Sequence, residues 1–299
     1  MVSVAGLLAT ATIVQLLMAL KNPHRDYHEL YQRIMSWWWI TGLLFGFLYM
    51  GKNAAIVFFA FVSFLALREF MSILPTRQAD RNVLFWAYLS IPLQYYWVGS
   101  GWYGMFIIFI PVYMFLFIPM RMVFKGETDG FIKAAGVIHW AVMLTVFSIS
   151  HIAFLLVLPD MNVLAGGVGL VLYLLFITQF NDINQYIWGK LFGKHKITPK
   201  VSPNKTWEGF LGGLLTITLI AGFIAPFLTP LTRSEGFLAG LIISVGGFIG
   251  DVVISAVKRD LKIKDSGHLI PGHGGVLDRM DSLIYTAPLF FHYIYYLHY

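Results

Sequence analysis

Between Ser255 and Asp281 the chain reads SAVKRDLKIKDSGHLIPGHGGVLDRMD, a run dense in charge and glycine. Lys258, Arg259, Lys262, Lys264 and Arg279 are interleaved there with Asp260, Asp265, Asp278 and Asp281. That mixture suits the gripping of a polyphosphate. Carboxylates hold Mg2+, the metal bridges phosphate oxygens, and ammonium and guanidinium groups neutralise the remaining charge. The stretch Pro271-Gly272-His273-Gly274-Gly275 is too flexible for a helix, and its glycines let successive backbone N–H groups converge on an anion. A loop that simply has to turn is the alternative, which the adjoining Asp278, Arg279 and Asp281 disfavour. His268 and His273 could contact phosphate or move a proton, although loop histidines are more often only solvated.

Asp251, Ser255, Lys258 and Lys262 recur at helical steps and would share one face, as a salt-bridge ladder or as a grip for a metal-bound polyphosphate. Asp251 and Asp182 close apolar runs, where a charge is costly and usually paired or functional. A second polar loop, WGKLFGKHKITPKVSPNKTWEGF, brings Lys190, Lys194, Lys196, Lys200 and Lys205. Ser202, Asn204 or Thr206 could cap the helix that follows, and a helix N-terminus favours phosphate. The lysines could instead serve only to hold the protein on anionic lipid; Ser and Thr beside Lys205 favour a specific site. Neither loop has the GxxxxGK[ST] phosphate-loop pattern or a zinc spacing.

The elements that must position these groups are membrane helices. Of 299 residues, 58% are hydrophobic and only 12% charged, about half the charge of a soluble domain. Ten apolar stretches can be drawn: 3–20, 35–50, 53–67, 83–99, 102–119, 135–157, 162–180, 209–230, 236–257 and 283–298. The short second and third could form a tight hairpin or a partly re-entrant pair, so the expected fold is all-α and polytopic, with about ten (eight to ten) transmembrane helices. The first stretch lacks a basic leader and reads as an uncleaved span. All 21 basic residues except Lys52 and Arg233 fall on one side of this arrangement. Positive loops remain cytoplasmic, so the polar site is expected to face the cytoplasm and both termini to face outward. The net charge of +6 is a topology signal first, and it calls for no nucleic acid. Without cysteine there are neither disulfides nor thiolate metal sites. One domain, 1–299, is expected, with mainly structural helices over 1–180 and the chemical loops over 181–299.

The two loops resemble those of the CDP-diacylglycerol synthase (phosphatidate cytidylyltransferase) family. The likeness lies in Ser255, Lys258-Arg259, Lys264-Asp265-Ser266, Pro271 to Gly275, Leu277-Asp278-Arg279 and Asp281, and in residues 191–213. It implies transfer of a cytidylyl group from CTP to phosphatidate, giving CDP-diacylglycerol and pyrophosphate. It further implies Mg2+, with K+ assisting, and a homodimer in a bacterial inner (plasma) membrane among membrane lipids. The site residues it implies are Asp265, Lys258, Arg259, Asp278 and Asp281 in catalysis, with Asp251, Asp265 and Asp182 on the metal. Substrate would meet Ser202, Lys205, Thr206, Lys264, His273, Gly274, Gly275 and Arg279. Two departures stand out: Ile254 where the family often carries Glu, and Ile183-Asn184-Gln185 where it carries small residues. A diverged paralogue acting on another lipid phosphate therefore stays open. So do a CTP-dependent lipid or polyprenol kinase, which would move the γ-phosphate, and a non-catalytic membrane scaffold. A transporter or channel would instead carry its charges at mid-membrane.

Overall fold

An apolar run in lipid can satisfy its backbone N–H and C=O groups within one segment only as a helix. In the computed structural model, which describes residues 2–22, 27–74, 81–162, 165–272 and 274–299, these runs form ten continuous helical rods. They are α1 (Val2–Lys21), α2 (His28–Tyr49), α3 (Lys52–Ile73), α4 (Arg81–Ser100), α5 (Tyr103–Val123), α6 (Phe131–Leu155), α7 (Gly166–Phe192), α8 (Trp207–Leu228), α9 (Arg233–Asp260) and α10 (Leu277–His298). The second and third expected stretches are full helices meeting at Gly51, whose φ of 106° suits only glycine. α5 and α6 pass through π-helical turns at Phe109–Met114 and Met143–Phe147, the first containing Pro111, which has no N–H to give.

Six of the ten, α3 and α5 to α9, are long and apolar enough to cross a membrane. The expected count of about ten is not reached by that measure. Polar residues within α4 and α10, such as Gln94, Asp278, Asp281 and His292, dilute their apolar character. The chain is predominantly helical, as expected, with one local exception. The lysine-rich loop folds as an antiparallel hairpin of β1 (Lys196–Thr198) and β2 (Ser202–Thr206), with Lys196 opposite Thr206 and Thr198 opposite Ser202. Pro199 presets the turn that Val201 N–H closes on the Thr198 carbonyl at 3.1 Å.

α6 is the central rod, mostly buried along its length, and its end packs against α3, α4 and α10. α7, α8 and α9 form the tightest group, and α10 lies across α9, α7 and α6. Small residues make the α8–α9 seam: Gly222, Ala221 and Ala225 face Gly236 and Gly240. A Cβ on Gly240 would stand 2.6 Å from Ala221 Cβ. Where lipid tails are as apolar as the side chains, such close backbone approach replaces the hydrophobic effect as the source of association. Gly240→Leu should therefore destabilise the purified protein by about 1–3 kcal/mol through overpacking. The check is its thermal midpoint in detergent, where an unchanged value would contradict the seam.

Candidate active site

α7 continues past Asp182 to Phe192, and α9 past Asp251 to Asp260. The two acids close their apolar runs, and both helices continue beyond them. The reason is length: helices of 27 and 28 residues measure roughly 40 Å, while the hydrocarbon core is about 30 Å. Their last turns leave the apolar run but stay helical. The expected stripe holds in part. Ser255 Oγ donates to Asp251 Oδ1 at 3.3 Å, and Lys258 shares a cavity with Asp251. Lys262 has left the stripe, because α9 ends at Asp260 and Lys262 turns left-handed at φ 57°. Ile263 N–H then bonds the Lys258 carbonyl and Lys262 N–H that of Arg259, closing the helix end.

Glycines on α9 let the start of α10 come in. A Cβ on Gly250 would stand 2.5 Å from the Asp281 carbonyl oxygen, so only glycine allows the approach. It brings Ser282 Oγ to donate to Asp182 Oδ1 at 3.1 Å. From β2, Lys205 Nζ reaches Asp251 Oδ2 at 2.6 Å. Burial works against the charge on Lys205, but Asp251, and Asp182 with it, outweigh that and hold its pKa above the ordinary lysine value. Lys205 thus stays cationic throughout the physiological range.

These groups enclose a cavity of about 290 Å³ lined by Gln179, Asp182, Asp251, Lys258, Asp265, Asp278, Arg279 and Asp281. Asp278, only 5% exposed in its side chain, is its best-anchored member. Lys258 Nζ lies 2.8 Å from Asp278 Oδ1. Oδ2 accepts from Ser266 N–H at 2.8 Å, Ser266 Oγ at 2.9 Å and Gly275 N–H at 3.0 Å. Gly274 has φ 78°, and a Cβ there would come within 2.6 Å of Asp278 Oδ2. The glycine loop is therefore an anion nest whose anion is the protein's own: Gly275 N–H turns to Asp278, while Val276 and Leu277 N–H turn to Glu69 on α3.

Of the residues singled out from sequence, Asp182, Asp251, Asp265, Asp278, Asp281, Lys258 and Arg279 line one cavity, with Lys205 on Asp251. Others do not join it. Arg259, one helical step from Lys258, points elsewhere and gives its Nε to the Val201 carbonyl at 3.2 Å, fastening the hairpin. Ser202 is a strand residue paired with Thr198. Thr206, buried, caps α8 by accepting from Gly209 N–H at 3.2 Å, as one reading of the sequence had it. Lys264 is exposed and outside the lining, and His273 lies outside the described residues. Glu69 stands outside the residues expected at the site, and Gln185 was expected only as a departure from the family's pattern. Glu69, beside Arg68 at the close of an apolar run, carries the same signal as Asp182. Gln185 donates to Asn181 Oδ1 at 3.1 Å and accepts from Lys205 Nζ at 3.5 Å, so one of the unusual residues braces a site cation. Ile254, the other departure, is fully buried and outside the lining.

Among the described residues no three His, Cys, Asp or Glu side chains form a ready-made metal cage. The donor set nevertheless fits Mg2+. Five carboxylates line the cavity against Lys258 and Arg279, with Lys205 as third cation, leaving an excess of negative charge on hard oxygen donors. Mg2+ is ordinarily held by one or two carboxylates, waters and substrate phosphates rather than by an all-protein cage. The Lys258–Asp278 pair also makes a stability prediction. Lys258→Met should cost about 3–5 kcal/mol by leaving a buried carboxylate without its cation, and adding Asp278→Asn should recover much of that. Thermal midpoints of the single and double variants check this; equal midpoints for parent and single variant would contradict it.

The family model for cytidylyltransferases matches residues 31–297. Over 292 residues the chain is 44% identical to the Escherichia coli K12 protein named "Uncharacterized protein YnbB", covering 97% of this chain and 96% of that one. The phosphatidate cytidylyltransferase of Staphylococcus haemolyticus is 42% identical over 127 residues, which is 42% of this chain and 48% of that one. For the phosphatidate cytidylyltransferase of Mycobacterium leprae the figures are 43% over 135 residues, 45% of this chain and 42% of that one. With the match running from α2 to the end of α10, the chain belongs to the cytidylyltransferase family.

Proposed function

We propose that this membrane protein transfers a cytidylyl group from CTP to a lipid phosphate, with phosphatidate as the acceptor and CDP-diacylglycerol and pyrophosphate as products. One observation carries the reading: carboxylates from α7, α9 and α10 and cations from α9, α10 and β2 meet at a single cavity beside helices that suit a bilayer. The family supplies CTP as donor. The names of the partial relatives supply phosphatidate as acceptor.

In this reaction an oxygen of the lipid phosphate attacks the α-phosphorus of CTP. The new P–O bond forms as the bond to the bridging oxygen of the β-phosphate breaks, and pyrophosphate carries that electron pair away. The protein's part is positioning and charge stabilisation. Lys258 and Arg279 face the cavity and take the phosphate charge, while Lys205 moves from Asp251 toward an incoming polyphosphate. Asp182, Asp251 and Asp281, with Asp265 at the rim, would hold Mg2+, which supplies neutralisation of the triphosphate. K+ is a further cation for the same negative site. The side with the basic loops is taken as cytoplasmic, where CTP is available, and if all ten helices crossed the membrane both chain ends would lie on the other side.

Purified protein incubated with CTP, Mg2+ and phosphatidate should move label from the α-phosphate, and not from the γ-phosphate, into the organic extract. Extraction of γ-label would convert the reading to a kinase, and no label from any of a panel of lipid phosphates would end it. Asp182→Asn and Asp265→Asn should each lower incorporation by about 100-fold or more by removing charge that works in the transition state, while the protein still inserts in membranes. Turnover near the parental value would remove that residue from the site. Chelation of divalent cations should abolish incorporation and Mg2+ restore it; incorporation that persists in excess chelator would rule out the metal role.

A further inference from the structure

Glu69 belongs to α3, in the half of the chain that carries none of the recognised motif, yet its carboxylate is inserted under the glycine loop. Oε2 accepts from Val276 N–H at 2.8 Å and Oε1 from Leu277 N–H at 3.0 Å. Both donors stand at the start of α10, where the first N–H groups have no partner within the helix. Ser266 Oγ donates to Glu69 Oε1 as well as to Asp278 Oδ2. One hydroxyl hydrogen is thus shared between Glu69 and the carboxylate that holds Lys258.

The loop is shaped around this side chain. A Cβ on Gly275 would collide with the Glu69 carboxylate, and one on Gly267 would come within 3.0 Å of its Cδ. Two glycines of the motif therefore leave room for a residue outside the motif. α2 adds a second tether, Ser36 Oγ donating to the Pro271 carbonyl at 2.7 Å. Glu69 is not in the cavity lining, and its contacts run to Ser266 and the start of α10.

We propose that Glu69 is a positioning residue for cytidylyl transfer. It fixes Ser266 and the first turn of α10, and through them sets Asp278, Lys258 and Arg279 toward the cavity. This rests on the function proposed above. A carboxylate is required because all three partners donate; an amide would set its NH2 group against at least one of them.

The test compares the full-length parent with Glu69→Gln, Glu69→Asp, Ser266→Ala and the Glu69→Gln/Ser266→Ala double variant, all in detergent with α-labelled CTP. Glu69→Gln should lower kcat by about tenfold or more, as loss of a side chain that orients a site residue does, with KM for CTP changed less than about twofold, as expected when transition-state rather than ground-state contacts are lost. Glu69→Asp, which keeps the charge, should recover part of the loss. The double variant should be no slower than the slower single variant, because both act through one path. Hydrogen exchange at Val276 and Leu277 should rise in Glu69→Gln while the thermal midpoint stays near that of the parent. Parental kcat in Glu69→Gln, multiplicative losses in the double variant, or a loss matched by a fall in folded protein would each overturn the proposal. An inactive parent would instead bring down the functional reading itself, which separates the two failures.

Discussion

A carboxylate withdrawn from bulk water needs a cation or several N–H groups against it, and that requirement organises this end of the molecule. Asp278 meets it with Lys258, Ser266 and Gly275, Asp251 with Lys205, and Glu69 with Ser266 and the N–H groups of Val276 and Leu277, while Asp182 accepts from the Ser282 hydroxyl. Removing one partner of such a set costs more than the set contributes in net stability, because the remaining charge stays buried. The arrangement is better understood as a device for fixing geometry than as a source of stability.

Meeting that requirement dictates features far from any charge. Gly250 must be small for Asp281 and Ser282 to lie against α9. α7 and α9 must outlast the apolar core so that their acids sit on rigid helix rather than on loop. The hairpin must be pinned at its base by Glu208, which accepts from Lys194 and His195, and at its turn by Arg259, so that Lys205 is delivered to Asp251. The excess of negative charge left in the cavity is then what a divalent cation carrying a polyphosphate would neutralise. The unusual Gln185 fits the same scheme, since it braces Lys205 from behind. Of the departures from the family's pattern, Gln185 is thus tied to a site cation, whereas Ile254 packs outside the cavity lining.

Much of this was legible in the sequence because lipid leaves the chain so few options. Apolar runs had to be helices, and each expected stretch lies within or largely overlaps one. The acids at the close of apolar runs were found for the same reason, since charge stands out there. What stayed hidden was set by three-dimensional direction. Arg259 and Lys258 are neighbours in sequence, yet one helical step sends them to different tasks. Lys262 belongs to the stripe only if the helix continues, and a left-handed residue ends it. The glycine loop looks from sequence like a nest for a ligand, but the Gly275 N–H is taken by Asp278 and the Val276 and Leu277 N–H groups that follow by Glu69. Glu69 itself lies 207 residues from Val276, a separation across which no local pattern speaks, and the hairpin was obscured by charge and proline that read as loop.

The central claim is that one cavity binds the metal and the triphosphate together. The most direct measurement is an experimental structure of the purified protein with CTP and Mn2+, recording the anomalous signal of the metal. The account predicts a manganese peak among Asp182, Asp251 and Asp281, with the triphosphate against Lys258, Arg279 and a Lys205 released from Asp251. Nucleotide bound elsewhere, with the Lys205–Asp251 pair intact and no metal in the cavity, would contradict it.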